Sequence, residues 1–304
     1  MRLRAILTVF MTSLAVLITA QDQSPSFLAS SSELVVLPVI VVDKRGGFVT
    51  DLGRERFAVY DNGRRREISL FTNEDTPVTV GLIIDNSGSM RPRMPEVIVG
   101  TTAFARSSNP DDELFTLAFN DSVVESGSRS LLTAADGGTL ESQLRSMVPQ
   151  GRTALYDALV AGLDRVEQGG QARKALVLMS DGGDNASRST LQDVLARARR
   201  SNVTIFSIGL FDEGDLERNP GVLKSLAEST GGERFLPRSP SLLLQACTRI
   251  ARELRSGYTI GFIPTERDGA FHRIRVVVEA DNGGKLSVRT RPGYFTASTS
   301  TERQ

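Results

Sequence analysis

Between Val78 and Phe211 the chain alternates two kinds of apolar spacing. Continuous apolar runs, VTVGLIID (78–85), ELFTLAFN (113–120), KALVLMSDGGDN (174–185) and NVTIFSIGLF (202–211), are separated by stretches of helical period. A run that is apolar at nearly every position is what a strand covered on both faces of a parallel sheet requires. Helices are expected over 92–108, 138–148, 151–168, 189–200, 222–230 and 240–255, with a short last strand at 233–237. In the first helix Met94, Val97, Val99 and Phe104 are the expected packing positions. Strands alternating with helices of this length imply βαβ units. The predicted fold class is α/β: a doubly wound, Rossmann-like, mostly parallel sheet with helices on both faces.

The two ends of the chain read differently. Residues 34–75 hold a strand in LVVLPVIVV, a Lys-Arg-Gly-Gly turn with a second short strand, and a hairpin in RFAVYDNGRRREISLF. That hairpin is expected to have arms at 57–60 and 67–71 about the turn Asp61-Asn62-Gly63. Residues 256–296 contain GYTIGFIP (257–264), FHRIRVVVEA (271–280) and KLSVRTRPGYF (285–295), again strand-like. β segments bracketing an α/β middle (76–255) suggest that N- and C-terminal strands pair into one small β-sandwich carrying the α/β part as an insertion. Two separate β appendages are the alternative. Ahead of this, Arg2 and Arg4 precede an apolar stretch over 5–18 that ends in Ile18-Thr19-Ala20. This is the layout of a secretory signal peptide (1–20) cleaved near Ala20, followed by a serine-rich linker (21–33); residues 297–304 form a tail. An uncleaved anchor is the alternative, but residues 5–20 fall short of the roughly 20 apolar residues a spanning helix needs. A secreted or periplasmic location follows, with no membrane insertion after cleavage.

Charge and composition narrow the chemistry. Lys and Arg number 36, as do Asp and Glu; without Arg2 and Arg4 the balance is 34 against 36. Such a chain has no electrostatic footprint for nucleic acid or an anionic membrane. Arg64-Arg65-Arg66 follows the Asn62-Gly63 turn and reads as a solvated hairpin arm. One Cys and one His exclude an intrachain disulfide, a His/Cys zinc cluster and a cysteine–histidine dyad. Cys247 shares a helical face with Leu243, Ile250 and Leu254, which suits a buried structural thiol. His272, at the start of a strand, reads as a polar edge residue. A serine hydrolase would have to rely on it without a G-x-S-x-G elbow, and no G-x-x-x-x-G-K phosphate loop is present.

Three loops at strand or helix ends remain. Asp85-Asn86-Ser87-Gly88-Ser89 follows VTVGLII, Gly151-Arg152-Thr153 opens a helix, and Ser180-Asp181-Gly182 follows ALVLM. Each alone has an ordinary reading as a helix cap or a turn. In an open α/β sheet, however, ligands sit beyond the carboxyl ends of the strands, where loops of this kind lie. Gly88 is expected to make the tight turn that aims Ser87 and Ser89. Asp157, Asp184 and Asn185 lie close by and read as surface or loop residues.

The order D-x-S-x-S, then G-x-T, then a strand ending in S-D-G resembles the metal-ion-dependent adhesion site of von Willebrand factor type A domains. The resemblance spans residues 77–250, and all five motif positions match: Asp85, Ser87, Ser89, Thr153 and Asp181. The flanking V-V-D-x-x-G-x-x-V-T-x-L and V-R-T-R-P-G-Y are similar to extracytoplasmic proteins with such domains found in soil bacteria. Two carboxylates and three hydroxyls make a hard-oxygen donor set, suited to Mg²⁺, with Mn²⁺ the alternative, and unsuited to Zn²⁺. The resemblance implies that Ser87, Ser89 and Thr153 approach the ion directly while Asp85 and Asp181 supply charge. It also implies a non-enzymatic module that captures an Asp or Glu carboxylate of a partner protein. A metal-dependent hydrolase and a scaffold with a relic site are the other readings of the same residues.

Overall fold

Every position of residues 78–85 is buried, as an unbroken apolar strand between two helical layers must be. A computed structural model of the protein describes residues 34–125, 131–133, 136–211, 214, 218–280 and 285–298. The expected signal peptide and linker, and residues 299–304 of the tail, lie outside the described residues. In chain order the first strands are β1 (Val35–Val42), β2 (Phe57–Asp61), β3 (Arg64–Arg66) and β4 (Leu70–Thr72). The α/β part runs β5 (Val78–Asp85), α1 (Met94–Ser107), β6 (Glu113–Phe119), β7 (Val123–Glu125), β8 (Leu132–Thr133), α2 (Gly137–Arg145) and α3 (Leu155–Val166). It continues with β9 (Arg173–Ser180), α4 (Leu191–Arg200), β10 (Val203–Gly209), α5 (Pro220–Thr230), β11 (Arg234–Phe235) and α6 (Pro240–Ser256). Four strands close the chain: β12 (Tyr258–Phe262), β13 (Phe271–Val278), β14 (Ser287–Arg289) and β15 (Gly293–Phe295).

The central sheet has the order β11-β10-β9-β5-β6-β7, with β8 also on β6. Five of its strands are parallel; β7 and β8 pair antiparallel with β6. Alternate residues of β5 serve opposite faces. Val80, Leu82 and Ile84 pack with Phe104 of α1, Leu140 of α2 and Ile250 of α6. Ile83 packs with Leu159 of α3, Val194 of α4 and Leu226 of α5. From β6 the chain crosses β5 to lay down β9 on its other side, so strand order reverses at β5 and the carboxyl ends of β5 and β9 lie side by side. The fold is the expected doubly wound, mostly parallel α/β sheet.

The terminal strands pair with each other. One antiparallel sheet has the order β14-β1-β12-β4 and the other β15-β13-β2-β3, so both mix strands from the two ends of the chain. They share one core of Leu37, Val39, Phe57, Val59, Tyr258, Ile260, Ile274 and Val276. Tyr258 binds this core by its ring, 4.8 Å from that of Phe57. Its hydroxyl accepts from Leu52 N at 3.0 Å and donates to Val49 O at 2.9 Å.

Several local expectations change. The hairpin's return arm is Arg64–Arg66, in register with Asp61, Tyr60 and Val59; residues 70–72 leave it for the other sheet and pair with β12. After the Lys-Arg-Gly-Gly turn only a single bridge, Val42 to Phe48, forms. In α1 the buried face is Met94, Val97, Ile98, Thr101 and Phe104, whereas Val99 is 57% exposed, because it lies off the i, i+3, i+4 stripe. His272 is not an edge residue: β13 lies between β15 and β2, and the imidazole is buried. Cys247 is the expected buried thiol, facing Gly100 of α1, and burial pushes its pKa up to about 12.

Arginines join the sandwich to the α/β part at helix C-termini. Arg289 Nη1 donates to Gly231 O, the C-cap of α5, at 3.1 Å. Arg291 Nη2 donates to Arg199 O near the end of α4 at 2.6 Å, and its Nη1 to Asn202 Oδ1 at 2.8 Å. Unsatisfied carbonyls and the negative end of the helix dipole make these ends natural cation sites. Arg289 also lies 2.5 Å from Glu253 of α6.

Burial pushes the Glu253 carboxyl up to about 7, with Arg289 opposing and Glu233 adding to the rise. An acid whose folded pKa lies above its ordinary value of 4.5 favours folding in its protonated form. Its contribution to stability therefore falls as pH rises from about 4.5 to about 7 and is constant above. Glu253→Gln removes this dependence. Urea midpoints compared at pH 5, 7 and 8.5 are expected to move in the variant's favour across that window; parallel curves would refute the assignment.

Candidate functional site

The loops beyond β5 and β9 are positioned by the strand-order reversal. β5 ends in Asp85, whose carboxylate is completely buried. Asp85 Oδ1 accepts from Ser87 N at 3.0 Å, and Oδ2 accepts from Ser180 Oγ at 2.6 Å. Burial pushes the Asp85 pKa up to about 6; hydrogen bonds from Ser180 and Ser87 oppose this, and the charge of Asp181 adds to it. From Asp85 the chain makes one turn of 3₁₀-helix, Gly88–Met90, which brings Ser87 Oγ within 3.1 Å of Ser89 Oγ. Ser89 Oγ donates to Asp181 Oδ2 at 2.7 Å, and Asp181 Oδ1 accepts from Gly183 N at 2.8 Å. Four of the five expected residues thus form one hydrogen-bonded cluster.

Thr153 joins through its backbone. Gly88 N donates to Gly151 O at 3.1 Å, tying the second loop to the first. Asn185 N and Ala186 N both donate to Thr153 O, and Asn185 Oδ1 accepts from Thr153 N at 2.9 Å, tying it to the third. Asp85, Ser87, Thr153 and Asp181 are buried, and Ser89 is exposed. The cluster therefore has a closed, acidic floor, with Ser89 on its solvent side.

The fit to a divalent ion can be judged from donor chemistry. All five side chains offer oxygen, as Mg²⁺ and Mn²⁺ prefer. Adjacent ligands of an octahedral ion with bonds of about 2.0–2.1 Å lie about 2.9 Å apart; the Ser87–Ser89 and Ser89–Asp181 oxygens are 3.1 and 2.7 Å apart. Two carboxylates placed together out of water are unfavourable unless a cation or a proton compensates them. The donor set and its spacing suit a hard dication.

Residues 80–245 match the model of the von Willebrand factor type A domain. The chain belongs to this family. Comparison with curated proteins returns no match. Among solved structures, a von Willebrand factor type A protein from Catenulispora acidiphila superposes with a TM-score of 0.53 at 14% identity, covering 90% of this chain and 76% of the other. At that identity the likeness is one of fold. Looser likenesses reach the vWF domain of the type V pili tip protein Mfa5 from Porphyromonas gingivalis (TM-score 0.49, 15% identity, 59% of this chain and 95% of that one). The PilB minor pilin from Streptococcus sanguinis is similarly distant (0.48, 12%, 61% and 63%).

Beside the five positions of this von Willebrand factor type A domain, other residues carry the geometry. Ser180, fully buried, holds Asp85; its place in the S-D-G stretch is the one signal for it. Asp157 and Asp184 brace the loops: Asp157 accepts from Arg188 N and Ser189 N, and Asp184 from Tyr156 N and Ser187 Oγ. Asn185 is exposed yet clamps Thr153. Gly88 does not play the part expected of it. Its φ is not positive, and a Cβ there would meet Gly151 O at an ordinary 3.5 Å. Glycine is required instead at Gly182, with φ +83° and a Cβ that would lie 2.6 Å from Asn219 O.

At Gly151 (φ +78°) the added Cβ would meet Asp121 Oδ2, the end of an exposed side chain that can move. Gly151→Ala is expected to cost about 1–2 kcal/mol, the strain of a left-handed residue alone. Gly182→Ala meets fixed backbone as well and is expected to cost more, about 2–4 kcal/mol. Urea denaturation of the two variants tests the order; a Gly182→Ala variant as stable as Gly151→Ala contradicts it.

Proposed function

We propose that Asp85, Ser87, Ser89, Thr153 and Asp181 form a metal-ion-dependent adhesion site that holds Mg²⁺, or Mn²⁺ in its place, and captures an Asp or Glu carboxylate of a partner protein. The observation that carries this reading is the hydrogen-bonded cluster linking Asp85, Ser87, Ser89 and Asp181 across two loops, with Thr153 tied to both. Bound there, the ion would supply a Lewis-acidic position for an incoming carboxylate. Asp85 and Asp181 would balance its charge from the buried floor, and the three hydroxyls would complete a weakly donating shell. Only two negative charges offset the dication, which leaves it with appetite for a third oxyanion. Ser89, on the solvent side, marks the approach.

Capture rather than turnover is the reading these residues favour. The chain's one imidazole, His272, is bound to Asp61 in the sandwich at 2.8 Å, so no histidine base stands beside the loops. Membership of the von Willebrand factor type A family agrees with an interaction module. We further propose that the protein acts outside the cytoplasm, from the signal-like pattern of residues 1–20. No helix among the described residues is long and apolar enough to cross a membrane. The expected boundaries, 34–75 and 256–296 for the sandwich segments and 76–255 for the metal-binding part, are part of the same proposal.

Isothermal titration of Mg²⁺ and Mn²⁺ into metal-stripped protein is expected to show one site. Asp85→Ala and Asp181→Ala should abolish it while leaving the circular dichroism spectrum unchanged. Displayed peptides selected on the protein in Mg²⁺ should contain Asp or Glu and elute with EDTA. No heat of binding in the wild type, or peptides that persist in EDTA, would defeat the proposal.

A further inference from the structure

A second group of metal-ligating side chains lies in the β-sandwich, away from the loops just described. His272 on β13 stands in register with Tyr294 of β15 and is 1% exposed. Its Nδ1 lies 2.8 Å from Oδ1 of Asp61, a fully buried carboxylate at the end of β2. The other oxygen of Asp61 is held by Arg66, with Nη2 at 2.9 Å, and by the Tyr294 hydroxyl at 3.4 Å. A buried carboxylate on Nδ1 fixes the proton there and turns the lone pair of a neutral imidazole out at Nε2. That arrangement, carboxylate behind histidine, is the one that orients metal-binding imidazoles.

His272 Nε2 is buried and has no hydrogen-bond partner. It points between two carboxylates of the β12–β13 loop: Asp268 Oδ1 at 3.3 Å and Glu266 Oε2 at 3.7 Å. Asp268 is within hydrogen-bond distance and Glu266 lies beyond it. The three donor atoms lie within 4.8 Å of one another. Two ligands about 2.0–2.1 Å from a tetrahedral ion are separated by about 3.3 Å, so the two histidine-to-carboxylate spacings are close to those of a coordination shell. Asp268 is steadied by Thr296 Oγ1 at 2.7 Å and Ala270 N at 2.9 Å, and Glu266 by Arg64 at 2.9 Å. Both carboxylate side chains are partly exposed, at 39% for Glu266 and 52% for Asp268, which gives an ion a route from solvent.

We propose that His272, Asp268 and Glu266 form a second cation site, for a borderline transition-metal dication of the Zn²⁺ class. One nitrogen and two carboxylate oxygens suit such an ion and do not suit Mg²⁺. The ion would fasten the β12–β13 loop, and through Thr296 the segment just after β15, onto the buried face of β13. Its fourth position would open to solvent. None of its ligands belongs to the adhesion site, so each site can fail without the other.

Because His272 is the only histidine, the imidazole ¹H–¹⁵N spectrum of untagged protein reports on this site alone. Zn²⁺ as its chloride is expected to shift the Nε2 resonance with saturation at one equivalent, in the wild type and equally in Asp85→Ala. Millimolar Mg²⁺ should leave the resonance in place. Asp268→Asn and Glu266→Gln, at partly exposed positions the fold tolerates, should each weaken Zn²⁺ binding about tenfold or more, the scale of loss seen even for outer-shell partners. A wild-type Nε2 resonance unmoved by excess Zn²⁺, as when a proton occupies Nε2 instead, overturns the proposal. So does Zn²⁺ binding that both carboxylate variants leave at full strength.

Discussion

The buried carboxylate of Asp85 is the constraint around which the upper face of the α/β sheet is arranged. It ends the central strand, where both neighbours are strands and both faces are covered by helices, so water cannot solvate it. An ionised group in that position must find its partners in the fold. One oxygen is met by the backbone of its own loop at Ser87, the other by Ser180 at the end of the adjacent strand β9. The second partner exists only because strand order reverses at β5 and sets β9 beside it. Asp181 follows from the same step: wherever Ser180 bonds Asp85, the next residue emerges at the rim, within reach of Ser89.

Much of this could be read from residue order, and the parts that could not share a physical cause. Short runs such as VTVGLIID announce strands buried on both faces because a strand between two helical layers shows neither face to water. The motif positions 85, 87, 89, 153 and 181 can be picked out because each falls in a loop where a periodic segment stops or begins. Their spatial relation is another matter, since 92 residues separate Ser89 from Asp181 and only strand order brings them together. The departure of residues 70–72 from the hairpin to the other sheet hid in the same way. Arg64–Arg66 has no apolar alternation, yet it forms the return arm of the hairpin, because register with β2 is set by the Asn62-Gly63 turn rather than by burial. His272 reads as an edge residue because it stands at the start of its strand, but its neighbours Phe271 and Arg273 are the exposed ones. Alternation along a strand is what sends the residue between them inward, and a buried histidine becomes legible only once Asp61 is known to face it.

The position of the sandwich relative to the loops around Asp85 follows from where the chain crosses between the two parts. It enters the α/β sheet at Val78 and leaves it at Ser256, and both points lie at the amino-terminal ends of the strands. There Val78 N bonds Asp112, and Arg255 bonds Asp75 and Ser107 O. The arginine contacts fall on the same rim: Arg289 and Arg291 reach the C-terminal ends of α5 and α4, which in a βαβ unit lie where the next strand begins. A helix C-terminus is electronegative and its N-terminus electropositive. Basic residues of the sandwich can therefore dock only at the rim where helices end, whereas the acidic loops lie at the rim where helices begin. An eight-residue strand at about 3.3 Å per residue separates the two rims by about 23 Å. Chain connectivity and helix polarity thus agree in placing the β platform at one end of the sheet, and the Asp85 end is left clear of it.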